Sequence, residues 1–197
     1  MKRRVLVLGA HPDDAELGAG GLLTESRRAA VWIACAGDSG RREEAVAASR
    51  ALGFDVFLGT IPDGGAPDEL SRMILQIEAA VETFGPDLVA IPPAGDTHQD
   101  HRAVRDAALS ALRRAPVSVV EYESPSAPVG WGADYFVPVS EATVDAVELA
   151  LSLHVSQSKA LYLAEGAYRA RTRAAGLRVG ERHAEPYKVV RIHAPAH

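Results

Sequence analysis

The sequence has one cysteine and no long apolar stretch, and both absences restrict what the protein can be. With Cys35 alone, a chain of 197 residues can form neither an intramolecular disulfide nor a cysteine-rich zinc site. Cys35 lies in the apolar run 31–36, which is typical of a small core residue. No stretch approaches the ~20 apolar residues that are needed to cross a bilayer. We therefore expect no membrane partner.

Signals for export and for nucleic-acid binding are also missing. The apolar stretch after the basic N-terminus covers only Val5 to Ala10 and runs straight into charged residues, unlike a signal peptide. This favours a cytoplasmic protein. A net charge of −5 argues against a nucleic-acid partner. Arginines do cluster at Arg169, Arg171 and Arg173, but such a run is typical of a solvated helix face.

Length and composition indicate one globular domain over residues 1–197, with 47% hydrophobic and 24% charged residues. Short β-branched runs alternate with helical stretches. This predicts an α/β, Rossmann-like fold, a mostly parallel β-sheet with helices on both faces and a C-terminal elaboration. The predicted strands are 4–9, 30–35, 55–59, 87–92, 117–122, 135–139 and 187–192. The predicted helices are 42–52, 70–84, 101–114, 141–153 and 156–174.

The helix at 70–84 has the strongest pattern, because its apolar residues recur at three- and four-residue steps. Asp68 is expected to cap its start, and Gly85 with Pro86 ends it. The segment 124–132 is rich in proline, glycine and serine, which indicates an elaborated loop.

A first polar cluster, His11-Pro12-Asp13-Asp14, follows directly after the first predicted strand. Open α/β sheets bind their ligands at this end of a strand. Two carboxylates at a helix start are often only caps. Here, however, a histidine three residues before Asp14 lets an imidazole and a carboxylate converge on one metal. Because adjacent carboxylates point in different directions, one of them can bind the metal while the other stays free. The glycine-rich run 18–21 then permits close approach of the backbone beside the site.

The same glycine run raises the alternative of a dinucleotide-binding turn. That fingerprint needs its glycines directly after the strand, in G-x-G-x-x-G spacing. Residues 10–14 occupy this place, and the carboxylates of Asp13 and Asp14 would repel a pyrophosphate. The pattern therefore disfavours nucleotide binding.

A second polar cluster, from Asp96 to His101, follows the almost wholly apolar strand predicted at 87–92. In a parallel sheet the two strand ends lie on one edge, so the two clusters can meet. Two imidazoles and a carboxylate can hold Zn²⁺ and leave a fourth position for water. A further aspartate can orient a histidine through its second ring nitrogen. The residues alone leave open whether His98 or His101 is the ligand.

These residues resemble the LmbE-like, or PIG-L, family of zinc-dependent N-acetylglucosaminyl deacetylases. The likeness spans nearly the whole chain, and the paired first and second motifs make it specific. The motifs are Ala10-His11-Pro12-Asp13-Asp14 with Gly18-x-Gly20-Gly21, and Thr97-His98-Gln99-Asp100-His101. Supporting stretches are Arg41-Arg42-Glu43-Glu44-Ala45, Ile61-Pro62-Asp63-Gly64, Gly85-Pro86-Asp87-Leu88, His154-Val155-Ser156-Gln157 and Ala184-Glu185-Pro186-Tyr187.

The resemblance implies a role for each matching residue. The implied zinc ligands are His11, Asp14 and His101, and the implied general base is Asp13. The resemblance makes His98, paired with Asp100, the group that stabilises or protonates the reacting centre. It also makes Arg41 a substrate contact. Relatives of this kind often form homo-oligomers, hexamers among them, so an oligomer is expected here too.

The implied reaction is hydrolysis of the N-acetyl amide of a small N-acetylglucosamine-containing molecule. The first motif departs from the common pattern, with Ala15 directly after the aspartates and Glu16 one place later. That form is similar to the deacetylases of bacillithiol biosynthesis, which suggests an N-acetylglucosaminyl-malate substrate. Two alternatives stay open. One is a zinc amidase for another amide, such as a thiol conjugate. The other is a nucleotide- or sugar-binding protein without hydrolysis, although a free Asp13 beside a metal speaks against it.

Overall fold

Seven strands form one sheet in the computed structural model, which describes residues 3–194. The strands are β1 (Arg4–Gly9), β2 (Arg28–Ile33), β3 (Asp55–Leu58), β4 (Leu88–Ile91), β5 (Ser118–Tyr122), β6 (Tyr135–Pro138) and β7 (Ala184–Arg191). Their order is β3-β2-β1-β4-β5-β7-β6. The first five run parallel, whereas β7 is antiparallel to both β5 and β6. The predicted α/β fold, with a mostly parallel sheet and a C-terminal elaboration, is confirmed, and the elaboration contains the antiparallel strands β6 and β7.

Six α-helices pack around this sheet. They are α1 (Asp14–Glu25), α2 (Ser39–Leu52), α3 (Leu70–Phe84), α4 (Gln99–Leu112), α5 (Glu141–Ser152) and α6 (Ala167–Val179). Alternate strand residues divide the core: Leu6 and Leu8 pack with α3 and α4, whereas Val5 and Val7 pack with α1 and α2. Within residues 3–194, no helix combines the length and the apolar character needed to cross a membrane.

The strand order places a topological switch between β1 and β4. These two strands are parallel neighbours, with Val5 opposite Leu88 and Val7 opposite Ala90. From β1 the chain moves outward to β2 and β3, and from β4 it moves the other way to β5. Helices that follow β1 and β4 therefore lie on opposite faces, and a crevice opens between the two strand ends.

Helix α1 is buried on all sides in its first ten residues, Asp14 to Leu23. Its glycines make this possible, because a Cβ atom at Gly18 would collide with Tyr122 and one at Gly20 with Val147. The helix is thus pressed between the sheet and α5. The glycine run was expected to permit close backbone approach beside the site, and the approach that it permits is that of α1 to Tyr122 and Val147 in the core.

Two predicted helix boundaries were also wrong. The helix expected over 156–174 begins only at Ala167, after Gly166 in the left-handed conformation with φ 78°. Two 3₁₀ turns, Val155–Gln157 and Leu161–Leu163, take up the segment before it. Asp68 does not cap α3, because it lies within a further 3₁₀ turn, Ala66–Glu69, that precedes the helix.

A fully buried carboxylate, Glu185 on β7, ties the elements around α1 together. Its four donors are the backbone N–H groups of Gly21 and Leu22, each at 2.8 Å, and the hydroxyls of Tyr168 at 2.8 Å and Tyr187 at 2.6 Å. These donors come from α1, α6 and β7, so one side chain joins three parts of the chain. Burial raises the pKa of Glu185, and the hydrogen bonds oppose this rise.

We expect Glu185→Ala to lower the free energy of unfolding by about 3–5 kcal/mol, because four buried donors would lose their acceptor. Denaturant unfolding of the purified protein measures this loss. The exposed Glu181 provides a matched control, and its alanine variant should stay within about 0.5 kcal/mol of the wild type. Equal stability of the two variants would show that Glu185 does not stabilise the fold.

Candidate metal centre

The two polar clusters meet in the crevice between β1 and β4. The first lies between the end of β1 and the start of α1, and the second lies between β4 and α4. Ring nitrogens of His11, His98 and His101 all lie within 4.8 Å of one another. His11 and His101 are almost fully buried, at 7% and 4% exposure. The structure thus brings the predicted histidines together, although they are far apart in sequence.

Asp14 lies at the centre of this cluster. Its Oδ2 accepts hydrogen bonds from the backbone N–H groups of Ala10 and His11, both at 2.9 Å. The same oxygen is 3.3 Å from Nε2 of His101 and 3.8 Å from Nδ1 of His11. Burial acts to raise the pKa of Asp14, but His101 and then His11 lower it well below its ordinary value. The carboxylate is therefore fixed and charged.

Asp100 orients His11. Its Oδ2 is 3.0 Å from Nε2 of His11 and also accepts the N–H of Gly64 at 2.7 Å. An ionised carboxylate can only accept a hydrogen bond, so His11 donates this one from Nε2. In the neutral ring this leaves the lone pair on Nδ1, which is the nitrogen that faces Asp14. The predicted pairing of Asp100 with His98 was wrong: in the first turn of α4 the Asp100 side chain reaches His11 instead.

Asp96 orients His101 in the same way. Nδ1 of His101 is 2.8 Å from Oδ2 of Asp96, which also accepts a hydrogen bond from the Ser124 hydroxyl. The lone pair of the neutral ring is then on Nε2, directed toward Asp14. Burial acts to lower the pKa of His101, but Asp14 and Asp96 together raise it to about 10. The predictions assigned no role to Asp96, although it belongs to the second cluster.

His98 is held differently. It occupies the N-cap position of α4, and its Nδ1 accepts the backbone N–H of Asp100 at 3.2 Å. In the neutral ring the proton is therefore on Nε2, which suits this nitrogen to donate a hydrogen bond rather than to bind a metal. Burial lowers the pKa of His98, and repulsion from His11 and His101 lowers it further. The charge of Asp100 acts in the opposite direction, but the pKa of His98 stays below its ordinary value.

Asp13 has the one positive φ among the non-glycine residues of the described chain, at 100°. It occupies the N-cap position of α1, yet its side chain makes no capping hydrogen bond. Within residues 3–194, its Oδ2 is buried without a hydrogen-bond partner. Burial, and then the neighbouring Asp14, raise the pKa of Asp13 to about 8. Backbone strain of about 1–3 kcal/mol is typically retained at functional sites, and a simple cap does not explain this carboxylate.

A cavity of about 340 Å³ opens above these residues. Arg41 forms part of its wall, donating to the carbonyl of Pro12 at 3.0 Å and lying 3.8 Å from Oδ1 of Asp13. The other lining residues are His11, Asp14, Asp63, His98, His101, Pro125, Ser126, Gln157 and Tyr162. Arg41 thus lines the cavity, and its role as a substrate contact stays a prediction.

Several residues at the site were not foreseen. Asp63 has a 65% exposed side chain, 3.1 Å from Nε2 of His11, and Tyr162 reaches the cavity from a 3₁₀ turn. Behind Asp13, the buried Glu16 and His154 form a pair at 3.4 Å. The sequence carried weak signals for three of these positions, because Asp63, Glu16 and His154 lie in stretches with the family pattern. Nothing in the sequence pointed to Tyr162.

The donor set fits a divalent metal. One carboxylate oxygen and two imidazole nitrogens face each other, and each imidazole is held by a carboxylate on its other nitrogen. Catalytic zinc sites use such sets of three nitrogen and oxygen ligands with one open position. The open cavity above Asp14 provides access for water and substrate.

Comparisons with known proteins identify one family. Residues 6–112, more than half of the chain and both polar clusters, match the family PIG-L, GlcNAc-PI de-N-acetylase. The uncharacterized deacetylase YaiS of Escherichia coli K12 is 32% identical over 171 residues, covering 79% of this chain and 92% of that protein.

Solved structures share the whole fold. The conserved protein TT1542 of Thermus thermophilus has a TM-score of 0.77 at 27% identity, covering 98% of this chain and 96% of its own. The 4-carboxy-2-hydroxymuconate hydratase GalB of Pseudomonas putida KT2440 has a TM-score of 0.79 at 20% identity, covering 100% and 99%. Because a hydratase also has this fold, the fold alone does not determine the reaction. The family match and the sequence relative show the family: the chain belongs to the PIG-L family of deacetylases.

Proposed function

We propose that this protein is a zinc-dependent N-deacetylase that hydrolyses the acetamide of a small N-acetylglucosamine-containing molecule. One observation carries the proposal. The Oδ2 of Asp14, Nδ1 of His11 and Nε2 of His101 converge, and next to them lies Asp13, whose buried Oδ2 has no hydrogen-bond partner within residues 3–194. A binding site alone gains little from a strained, desolvated carboxylate beside its metal ligands.

In this proposal His11, Asp14 and His101 hold the zinc ion. When bound, zinc supplies Lewis acidity, which makes water a better nucleophile at neutral pH and polarises an amide carbonyl. Asp100 and Asp96 act as positioning residues, because each fixes the tautomer of one ligating imidazole.

The remaining side chains transfer the proton and stabilise the negative charge that develops during amide hydrolysis. Asp13 accepts the proton of the attacking water and delivers it to the departing nitrogen, which must leave as an amine. His98, with its proton on Nε2, donates a hydrogen bond to the carbonyl oxygen as negative charge develops there. Arg41, whose guanidinium lies between Asp13 and Asp63, contacts hydroxyl groups of the sugar.

The sugar is proposed because the family is that of GlcNAc-PI de-N-acetylase, whose name includes N-acetylglucosamine. N-Acetylglucosaminyl-malate, the bacillithiol intermediate, is one member of this substrate class. The motif residue that suggested it, Glu16, is buried against His154 and lines no part of the metal cavity. Glu16 therefore supports the site from behind, and residues of the cavity wall select the substrate.

The test combines metal analysis with an assay for released amine. We expect about one zinc ion per chain and amine release from N-acetylglucosamine conjugates, lost on chelation and restored by zinc. The panel includes N-acetylglucosaminyl-malate and an amide-linked thiol conjugate. If amine were released from the thiol conjugate alone, the protein would be an amidase for thiol conjugates and the proposed deacetylase activity would be wrong. A zinc-loaded protein that releases no amine from any conjugate would refute hydrolysis.

Asp96→Asn should weaken zinc binding by about 10–100-fold, because an amide replaces the charged acceptor that fixes the tautomer of His101. The dissociation constant can be measured by competition with a chromophoric chelator. Asp68→Asn, at an exposed position in the 3₁₀ turn before α3, is the matched control and should bind zinc as the wild type does. Unchanged affinity in Asp96→Asn would remove Asp96 from the metal centre.

A further inference from the structure

Two buried titratable side chains, Glu16 and His154, lie behind the metal centre without a part in the proposed reaction. Each is 1% exposed, and Nε2 of His154 is 3.4 Å from Oε1 of Glu16. Glu16 belongs to the first turn of α1, whereas His154 follows the end of α5, 138 positions later in the chain. The pair thus joins the start of α1, where Asp13 lies, to a distant part of the chain.

The two carboxylate oxygens of Asp13 have different surroundings. Oδ1 is 3.8 Å from Arg41, a residue of the cavity wall, whereas Oδ2 is buried and has no hydrogen-bond partner within residues 3–194. The backbone of Asp13 is strained at φ 100°, and such strain persists where the surrounding structure fixes the residue. A group that fixes Asp13 is therefore expected on the buried side, near Oδ2.

His154 is the cation on that side. Burial raises the pKa of Asp13, and among the charges that oppose this rise His154 acts more strongly than Arg41. Burial acts to lower the pKa of His154, but Glu16 and then Asp13 raise it above its ordinary value. The imidazole is therefore protonated on both nitrogens, with Nε2 directed to Glu16 and Nδ1 left as a second donor.

Three buried atoms in this region need a partner. Within the described residues, Nδ1 of His154, Oδ2 of Asp13 and Oε2 of Glu16 all lack a hydrogen bond. A single water molecule matches this set, because it accepts from one N–H and donates to two carboxylate oxygens. Buried waters typically make about three such bonds to polar groups that are otherwise unsatisfied.

We propose that His154 is a positioning residue for the general base, which holds the carboxylate of Asp13 through one buried water molecule while Glu16 orients its ring. The inference rests on the proposed function for the role of Asp13 as the base. With Oδ2 held from behind, Oδ1 stays on the side of the cavity, where it takes the proton of the attacking water.

Nuclear magnetic resonance of zinc-loaded protein with nitrogen-labelled histidine tests the link without any reaction. Asp13→Asn should shift the Nδ1 resonance of His154, because an amide replaces the charged group at the other end of the water bridge. His183 is the matched control, since it is 4% exposed and its Nε2 is also 3.4 Å from a glutamate, Glu141. Its resonance should not move. This measurement needs no variant at position 154, so it holds even where such variants do not fold.

Kinetics separates positioning from packing. His154→Gln places an amide where Nε2 of the imidazole lies and keeps a bond to Glu16, whereas His154→Asn places an amide where Nδ1 lies. We expect His154→Gln to lower kcat by about 10–100-fold with an unchanged KM, and His154→Asn to restore part of kcat. His183→Gln, the matched control, should keep the wild-type kcat.

A double variant identifies the group through which His154 acts. In the Asp13→Asn background, His154→Gln should have no further effect on kcat, because the carboxylate that His154 holds is already gone. An equal loss of kcat in both backgrounds would assign His154 to packing and overturn the inference.

The outcomes also separate this inference from the proposed function. A shifted His154 resonance in a protein that releases no amine would support the link and refute the deacetylase. Amine release with an unmoved resonance, or with wild-type kcat in His154→Gln, would do the reverse.

Discussion

Asp13→Asn is expected to lower kcat by about 10²–10⁴-fold while the zinc content stays at the wild-type level. The reason is chemical, because an amide cannot take a proton from water at neutral pH. It is also positional, because Asp13 supplies none of the three proposed ligand atoms, which are Oδ2 of Asp14, Nδ1 of His11 and Nε2 of His101. Amine release under saturating substrate measures kcat, and elemental analysis of the same sample measures zinc.

Asparagine is the replacement that changes least besides the charge at this position. It has the shape of aspartate and, like it, tolerates a positive φ better than other residues with a side chain. The strained backbone at 100° can therefore persist, and the change isolates the carboxylate charge. Asp106→Asn on α4, where the side chain is 68% exposed, is the matched control and should retain full activity. If Asp13→Asn retained more than a tenth of wild-type kcat, the general base would have to be another group.

Much of the fold could be predicted because its central strands and α3 have clear local patterns. The apolar runs of β1 and β4 are buried on both faces, as parallel strands between two helix layers must be. Helix α1 gave no such signal, since a helix buried on all sides has no polar face. The start of α6 was misjudged because the 3₁₀ turns at 155–163 depend on packing around the site rather than on local periodicity.

The meeting of the two clusters could be predicted from the sheet, because the ends of neighbouring parallel strands share one edge. The pairing of carboxylates with imidazoles could not. It depends on which way each side chain points across the crevice, and adjacency in sequence suggested His98 as the partner of Asp100. In the structure Asp100 reaches His11, 89 positions away, and Ser124 supports Asp96 from a separate loop. Such contacts depend on tertiary structure that one sequence does not display.

The second large effect is expected from His101→Ala, which should lose the metal. His101 offers Nε2 toward Oδ2 of Asp14 at 3.3 Å, and its other nitrogen is held by Asp96. Removing a ligand itself should cost more affinity than the ~10–100-fold that loss of an outer partner costs. Purified His101→Ala protein should therefore contain far less than one zinc ion per chain and release no amine at ordinary zinc concentrations.

His98→Ala is the matched variant, because both residues contribute an imidazole to the same three-ring cluster. With Nδ1 of His98 engaged by the N–H of Asp100, its loss should leave zinc in place and lower kcat by about 10²–10³-fold through the missing hydrogen bond to the oxyanion. The two variants thus separate metal binding from charge stabilisation. Full zinc in His101→Ala together with zinc loss in His98→Ala would exchange the two roles and make the ligand the ring nitrogen of His98, which lies within 4.8 Å of those of His11 and His101.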